Sequence, residues 1–517
     1  MPFKAWNKLG EFLHETRLIG SIQNTLYWDQ NTAMPFGGAS WRGEQLSLLA
    51  RILHSRQTSS ELEGLISEAK DEMDKNQLSG DLSPCQLEEY KRNLQLLHQD
   101  QLRQKSLDPV LVSHIAKAQS EGYMLWQKAR SSNDFNIFKP SLKLLISLRQ
   151  QQAKQINEEI SCWETLAQPF EPDLTKVRLD ELFLPLRKLL PDLLEKVRSI
   201  KRPSLPNWDL AVSDQRKLCN LLLDELGRDE NITCLANSPH PFSITLGPKD
   251  FRITSRIVPG QPLSCFLATA HEWGHSLYEQ GLPEETHQWF AWPLGQATSM
   301  AIHESQSLFW ENRVARSFAF SERFWNRFSD LGAPLDSSFD LWLAMNKFQP
   351  GLNRVEADEL TYGLHILIRT ELEIDLLERG LEVDALPSEW NDRYQKLLGL
   401  SPCSDREGCL QDVHWSEGQF GYFPSYLLGH LISAQISEAM NSSFSGVSED
   451  KTEDPIDNLV SEGDYNRILS WLRKEIHPHG RRVNAEDLVR NVTGESLSSS
   501  PFLKYLEKKI ELLSSSS

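Results

Sequence analysis

Cys265-Phe266-Leu267-Ala268-Thr269-Ala270-His271-Glu272-Trp273-Gly274-His275-Ser276-Leu277-Tyr278 is the stretch whose reading decides the fold. Ser264 as an N-cap, with Gly281 and Pro283 as stop signals, frames it as a helix. Residues four apart stack on one helix face, so His271 and His275 can both turn an imidazole nitrogen toward one cation. Glu272 lies about a hundred degrees round, close enough to reach a water held by that cation without being a ligand. This spacing is the zinc-peptidase arrangement. The flanking Phe266, Leu267, Ala270, Leu277 and Tyr278 are apolar on all sides and bury the helix, and a buried His-Glu-His cluster needs a partner for its polar atoms. A chance match, expected on the order of a few times in a hundred for such a chain, leaves that need unmet.

Downstream, Gln296 to Arg316 is predicted as a second helix with Ala297, Met300, Ala301 and Leu308 on one face, and Glu304 falls on that face. A carboxylate there is either paired with an arginine or bound to metal. Zinc takes a third protein ligand and keeps a fourth position open, and Glu304 is the natural candidate. The metzincin alternative fails, because Tyr278 and Gly281 stand where a glycine and a further histidine are required. Upstream, Phe242 to Leu246 and Phe251 to Val258 alternate with period two around Gly247-Pro248-Lys249-Asp250, which predicts a hairpin. A strand edge just ahead of a zinc helix can hold an extended peptide by its main chain. His240, Asp250, Arg252 and Thr254 lie on or beside it; the plain alternative for each is an ordinary solvated residue.

Further out, Trp6 to about Arg202 reads as a stack of long helices: Leu46, Leu48, Leu49, Ile52 and Leu53 begin one amphipathic run, Asp108-Pro109 reads as an N-cap and first turn, and Leu142, Leu144, Leu145 and Leu148 continue the period. Tyr27 to Gly38 lacks helical period and is read as a turn, either a plain connection or a loop near the site. Arg354 to Gly380 is read as one long helix, with Arg354, Asp358, Tyr362, His365 and Arg369 forming either a wet face or the wall of a polar cleft. Gly408 to Trp415 and Gly418 to Tyr426 predict a packed loop, after which helix resumes, broken by an exposed loop from Asn441 to Asp457.

Composition limits the function classes. A length of 517 residues carries a prior of about three domains, but no linker divides the chain. The reading is a single catalytic unit, with a helical part over about 1–203 covering a groove and a zinc-bearing part over about 204–513. A formal charge of -18 disfavours nucleic acid and anionic membrane as partners. Neither a signal-peptide run nor a bilayer-length apolar stretch is present, and the seven scattered cysteines show no pairing pattern, so a reduced, cytosolic protein is expected. Ser514 to Ser517 reads as a frayed tail.

Several segments together resemble the thermostable carboxypeptidase family of zinc peptidases, often called carboxypeptidase Taq, from near the N-terminus to about Leu513. They are Trp28-Asp29-Gln30 with Met34-Pro35 and Gly37-Gly38, His240-Pro241-Phe242, Asp250-x-Arg252-x-Thr254, the His271 helix, His303-Glu304-Ser305-Gln306, Arg354-x-x-Ala357-Asp358, and Gly408-x-x-Gln411-Asp412-x-His414-Trp415. One departure is Asn353, where the family pattern has isoleucine. The resemblance implies a mainly all-α, saddle-like fold with a deep groove and a small sheet beside the zinc helix, a homodimer, and removal of single residues from free peptide C-termini with broad specificity. It makes His271, His275 and Glu304 the metal ligands and Glu272 the catalytic carboxylate, and it places His240, Arg252, Thr254, Arg354, Gln411 and His414 along the substrate groove.

In chemical terms, a cation held by two neutral imidazoles and a carboxylate brings the pKa of water toward about 7, and Glu272 moves the proton. Tyr422 or His414 is a candidate second donor to the oxyanion, and cobalt suits the ligands as zinc does. A free terminal carboxylate needs a cation; Arg354 and Arg252 are candidates, with Arg354 favoured because Asp358, one turn on, would hold its guanidinium. The competing readings are a zinc oligopeptidase that cuts internally and a helical scaffold with a structural metal. Glu272 speaks against the scaffold, since structural zinc sites favour cysteines and fill all four positions.

Overall fold

Long amphipathic runs closed by local caps make helix the dominant element: Ser59 accepts from Leu62 N–H, Ser83 and Gln86 form a capping box, and Asp108 accepts from Val110 N–H ahead of Pro109. The computed structural model describes residues 3–80, 82–198, 208–283, 289–445 and 454–515. The expected boundary near residue 203 lies outside the described residues, as do 446–453 of the expected exposed loop and the last two residues of the tail. Asn441–Ser445 instead finish the Pro424–Ser445 helix. Ser514 and Ser515 likewise end the last helix, Ser500–Ser515.

The first helix, α1 (Lys4–Thr32), runs straight through Tyr27–Thr32, where a turn is predicted from sequence. Tertiary partners override the weak local period. Arg42 of α2 (Ala39–Gln57) donates to Leu26 O at 2.5 Å and to Asp29 at 2.6 Å, and Tyr27 and Trp28 pack edge-on against Phe242. The α2 helix departs from the expected amphipathic packing. No residue of it is buried, and Trp41 is 68 % exposed.

The hairpin forms as predicted, β2 (Ser243–Gly247) antiparallel to β3 (Asp250–Ser255). A third strand, β1 (Thr233–Asn237), pairs parallel with β3, giving the order β1-β3-β2. Its five residues carry no alternation that would announce it. The outer edge of β2 is covered by α1: Asn24 donates to Thr245 O at 3.2 Å and Ser21 to Leu246 O.

Three helix boundaries differ from those expected. The His271 helix spans Pro262–Gly281, starting at a proline that needs no N–H partner rather than at a Ser264 cap. The Gln296–Arg316 region divides into a helix, Met300–Leu308, capped by Ser299, and a π-helical turn, Phe309–Ala315. Arg354–Glu356 is a separate 3-10 turn, and the following helix, Glu359–Glu378, is capped by Asp358. Asp358 therefore spends its carboxylate on the N–H groups of Leu360, Thr361 and Gln349 and does not hold Arg354. The main core runs from Trp126 to Leu513 and includes the rings of Phe266, Phe320, Phe324 and Phe328; a separate cluster joins Trp6, Leu9 and Phe12 to Trp292. No helix among the described residues is long and apolar enough to cross a membrane.

Candidate metal centre and arginine pocket

Two close approaches bring His271, His275 and Glu304 together. A Cβ at Gly274 would lie 2.6 Å from Gln306 O, so glycine there lets the Glu304 helix sit directly on the His271 helix. A Cβ at Gly429, on the Pro424–Ser445 helix, would come within 2.7 Å of Glu304 Cγ, so that helix closes on the glutamate from the other side. The ligand atoms of His271, His275 and Glu304 all lie within 4.8 Å of one another. Glu304 Oε2 stands 3.4 Å from His275 Nε2 and 3.8 Å from His271 Nε2. Two ligands about 2.1 Å from a tetrahedral zinc lie roughly 3.4 Å apart, so the donor set fits such an ion.

Each imidazole is steadied through its other nitrogen. His271 Nδ1 meets Glu311 Oε2 at 3.0 Å, and His275 Nδ1 meets His303 O at 3.2 Å. This leaves both Nε2 atoms for the metal side. Behind them Arg316 donates to Glu311 at 2.8 Å, and His303 Nε2 bonds Glu279 at 2.9 Å. Glu311 and Glu279 lie outside the motifs quoted above, although helical spacing marks them: Glu279 is four past His275 and Glu311 seven past Glu304.

Glu272 is buried beside this cluster. Burial pushes its carboxyl up to about 7, offset by His271 and reinforced by Glu304 and Glu311. For Glu304 burial works the other way from its neighbours: His271 and His275 win and hold it at about 2. His271 is raised to about 10 against burial by Glu304 and Glu311, while burial and His303 lower His275 to about 4. The carboxylates that make His271 so basic are also the charge a divalent cation would meet.

The second cluster lies beside the first. Arg354 is buried; its Nε donates to Asp412 Oδ1 at 2.8 Å and its Nη1 to the Tyr362 hydroxyl at 3.1 Å. Arg369 grips the other oxygen of Asp412 at 2.6 Å. Gln411 Oε1 accepts from Arg354 N–H and from Arg369, so Gln411 is committed to holding the loop. Burial raises the hydroxyl pKa values of Tyr362, Tyr422 and Tyr426, and the charge of Glu304 adds to all three, which ties this cluster to the metal side. His414 packs on Phe423 with ring centroids 4.5 Å apart and faces the Tyr426 hydroxyl at 3.3 Å; burial and Arg354 lower it to about 3 and keep it neutral. A cavity of about 730 Å³ is lined among others by Leu267, Arg316, Asn353, Asp358 and Gln411; of the groups behind the two clusters it reaches Arg316 and Gln411, and His271, His275, Glu304 and Arg354 do not line it.

The sheet residues stand apart. Arg252 is paired with Asp250 through two 2.8 Å bonds and lies over Trp28. Thr254 is fully buried, tied to Ser238 and to Phe242 N–H. His240 is exposed, near Arg256 and Arg130, and is not drawn into either cluster.

The family model described as Carboxypeptidase Taq (M32) metallopeptidase matches residues 8–510. The chain is 36 % identical to Thermostable carboxypeptidase 1 of Thermus thermophilus over 99 % of both chains. It is 33 % identical to Carboxypeptidase 1 of Bacillus subtilis over 94 % of this chain and 93 % of that one. The crystal structure of the M32 carboxypeptidase from Deinococcus radiodurans R1 superposes with a TM-score of 0.91 at 32 % identity, covering 99 % of each chain.

Proposed function

The chain belongs to the carboxypeptidase Taq family of metallopeptidases, and on that premise we propose which residues carry its metallocarboxypeptidase activity. His271, His275 and Glu304 hold the catalytic ion, Glu272 is the general base, and Arg354 receives the terminal carboxylate of the peptide. The observation that carries this reading is the convergence of three ligand atoms within 4.8 Å, with each imidazole fixed from behind. Two imidazoles and one carboxylate suit zinc, and cobalt shares the preference. When bound, the ion supplies Lewis acidity, bringing the pKa of water toward about 7 and polarising the scissile carbonyl.

Glu272 takes the proton of the attacking water and returns it to the leaving nitrogen; the burial that makes its carboxyl more basic suits that exchange. Arg354, pre-set by Asp412 and Tyr362, forks onto the terminal carboxylate. Tyr422, with neutral His414 beside it at 5.5 Å, supplies a donor to the oxyanion. Arg252, Thr254 and Gln411 shape the groove through their own bonds, and His240 meets the peptide further out. A cation reserved for a free C-terminus favours this reading over internal cleavage.

Metal analysis after dialysis and peptide turnover test it together. Glu304→Ala is expected to hold far less than one ion per chain. Glu272→Gln should keep the ion and lose about 10²- to 10⁴-fold in turnover, since an amide cannot accept the proton. Full metal content in the first variant, or wild-type turnover in the loaded second, overturns the assignment.

We further propose that the chain acts as a homodimer. Leu18 and Ile22 of α1, Phe36, and Trp41, Leu48 and Ile52 of α2 form an exposed apolar series on a helix pair, and covering each such side chain contributes about 1.5–3 kcal/mol when complete. Light scattering should give twice 59.3 kDa, and Trp41→Glu should shift it toward the single mass. A wild-type monomer would dispose of the idea.

A further inference from the structure

Glu171 lies in the turn after the Cys162–Ala167 helix and is 3 % exposed. Its Oε1 accepts from Ala301 N–H at 2.6 Å and from Ser425 Oγ at 2.6 Å, and the Ser299 hydroxyl bonds to it as well. The preceding residue, Phe170, gives its carbonyl to Met300 N–H at 2.9 Å and its ring to Tyr422 at 4.9 Å. Ser299 Oγ accepts from Ile302 N–H. The first three N–H groups of the Glu304 helix are thus claimed by Phe170, Glu171 and Ser299, and the start of the Pro424–Ser445 helix is tied to the same carboxylate through Ser425.

These two helices are the ones that fix Glu304. The glutamate sits one turn into the first and presses on Gly429 of the second. Among the described residues no cation pairs with Glu171, and its donors are all neutral. A carboxyl buried without a counter-charge is costly relative to an apolar side chain, a cost offset here by its hydrogen bonds and by the N-terminal helix dipole.

We propose that Glu171 is a positioning residue of the metal centre: by joining the starts of the Glu304 and Ser425 helices, it sets where the Glu304 carboxylate stands relative to His271 and His275. Through Phe170 it also sets Tyr422. The proposal rests on the reading of Glu304 as the third ligand.

The test is zinc affinity by chelator competition, with kcat and KM, on Glu171→Ala and Glu171→Gln, each well below its unfolding temperature. Glu171→Ala is expected to bind zinc about 10- to 100-fold more weakly and to lose kcat more than KM, the scale seen when groups behind metal ligands are removed. Glu171→Gln keeps an oxygen for Ala301 N–H and Ser425 and offers its NH₂ to Ser299, so it should recover most of both. A merely structural role would lower Tm while leaving the folded variant's zinc affinity intact, and that result for Glu171→Ala overturns the proposal. If the alanine variant does not fold, Ser425→Ala decides: several-fold weaker zinc binding supports the proposal, unchanged binding overturns it. Glu304→Ala measured alongside separates the two ideas, because wild-type affinity there removes Glu304 as a ligand whatever Glu171 does.

Discussion

The candidate metal centre and the arginine pocket gather buried charge of opposite sense. Around His271 and His275 stand three carboxyl groups, Glu272, Glu304 and Glu311, against one guanidinium among the described residues, that of Arg316, and without a cation they hold a proton on His271. In the pocket two guanidinium groups, Arg354 and Arg369, share the one carboxylate of Asp412. A buried surplus charge is expensive, so each cluster is built for a ligand of the other sign. On the reading proposed above, the first would take the metal cation and the second the terminal carboxylate of the peptide.

The largest expected effect breaks the pocket's half of this comparison. Blocking a peptide as its C-terminal amide removes the anion, and Arg354→Ala removes its partner. Either should slow release of the last residue by several tens-fold to a few thousand-fold, corresponding to about 2 to 5 kcal/mol of lost charge pairing. Arg354→Ala should also narrow the gap between free and amidated peptides, because only the free one has something to lose. Equal rates for both peptides with the wild-type enzyme would show that the pocket's positive surplus serves no terminal carboxylate.

A smaller effect sharpens the comparison within the pocket. Glu373 is buried and Asp412 nearly so, its side chain 9 % exposed, and Glu373 lies one turn past Arg369 on the same helix. Burial alone would raise Asp412, but Arg369 and Arg354 overcome it and hold the carboxyl well below its usual range. Glu373 accepts only from neutral groups, Trp415 Nε1 at 2.9 Å, Gly421 N–H at 3.0 Å and Trp163 Nε1 at 3.4 Å, and burial pushes it up to about 7.

The signs differ accordingly. For Asp412 the folded value is the lower, so its contribution is present above the unfolded value of about 4 and is lost as pH falls through the folded one. For Glu373 the folded value is the higher, so the native state binds more protons between about 4.5 and about 7, and stability from this group declines as pH rises across that window. Glu373→Gln should flatten the decline by up to about 3 kcal/mol, read from urea unfolding at several pH values. The same slope in the variant would mean that Glu373 does not titrate there.

Local spacing carried the candidate metal cluster a long way. Two histidines four apart share a helix face wherever the helix sits, Glu304 falls on the apolar side of its own run, and period two announces the hairpin at Gly247 to Asp250. Glu279 and Glu311 were within reach of the same spacing rule. The arginine pocket was not legible in that way. Arg354 pairs with Asp412, 58 positions on, and not with Asp358, which the backbone claims as a helix cap. Nothing in either local segment records that choice.

The amino-acid sequence by itself determined which faces are apolar, where helices can start, and which residue types stand ready to bind a metal or an anion. The tertiary structure decided which of those residues meet. Glycine at 274 and 429 allows three helices to close around Glu304, and Glu171 ties two of them at one carboxyl. Periodicity is a property of one segment, whereas a buried polar group must be satisfied by whatever segment arrives beside it, and that depends on the packing of the whole chain.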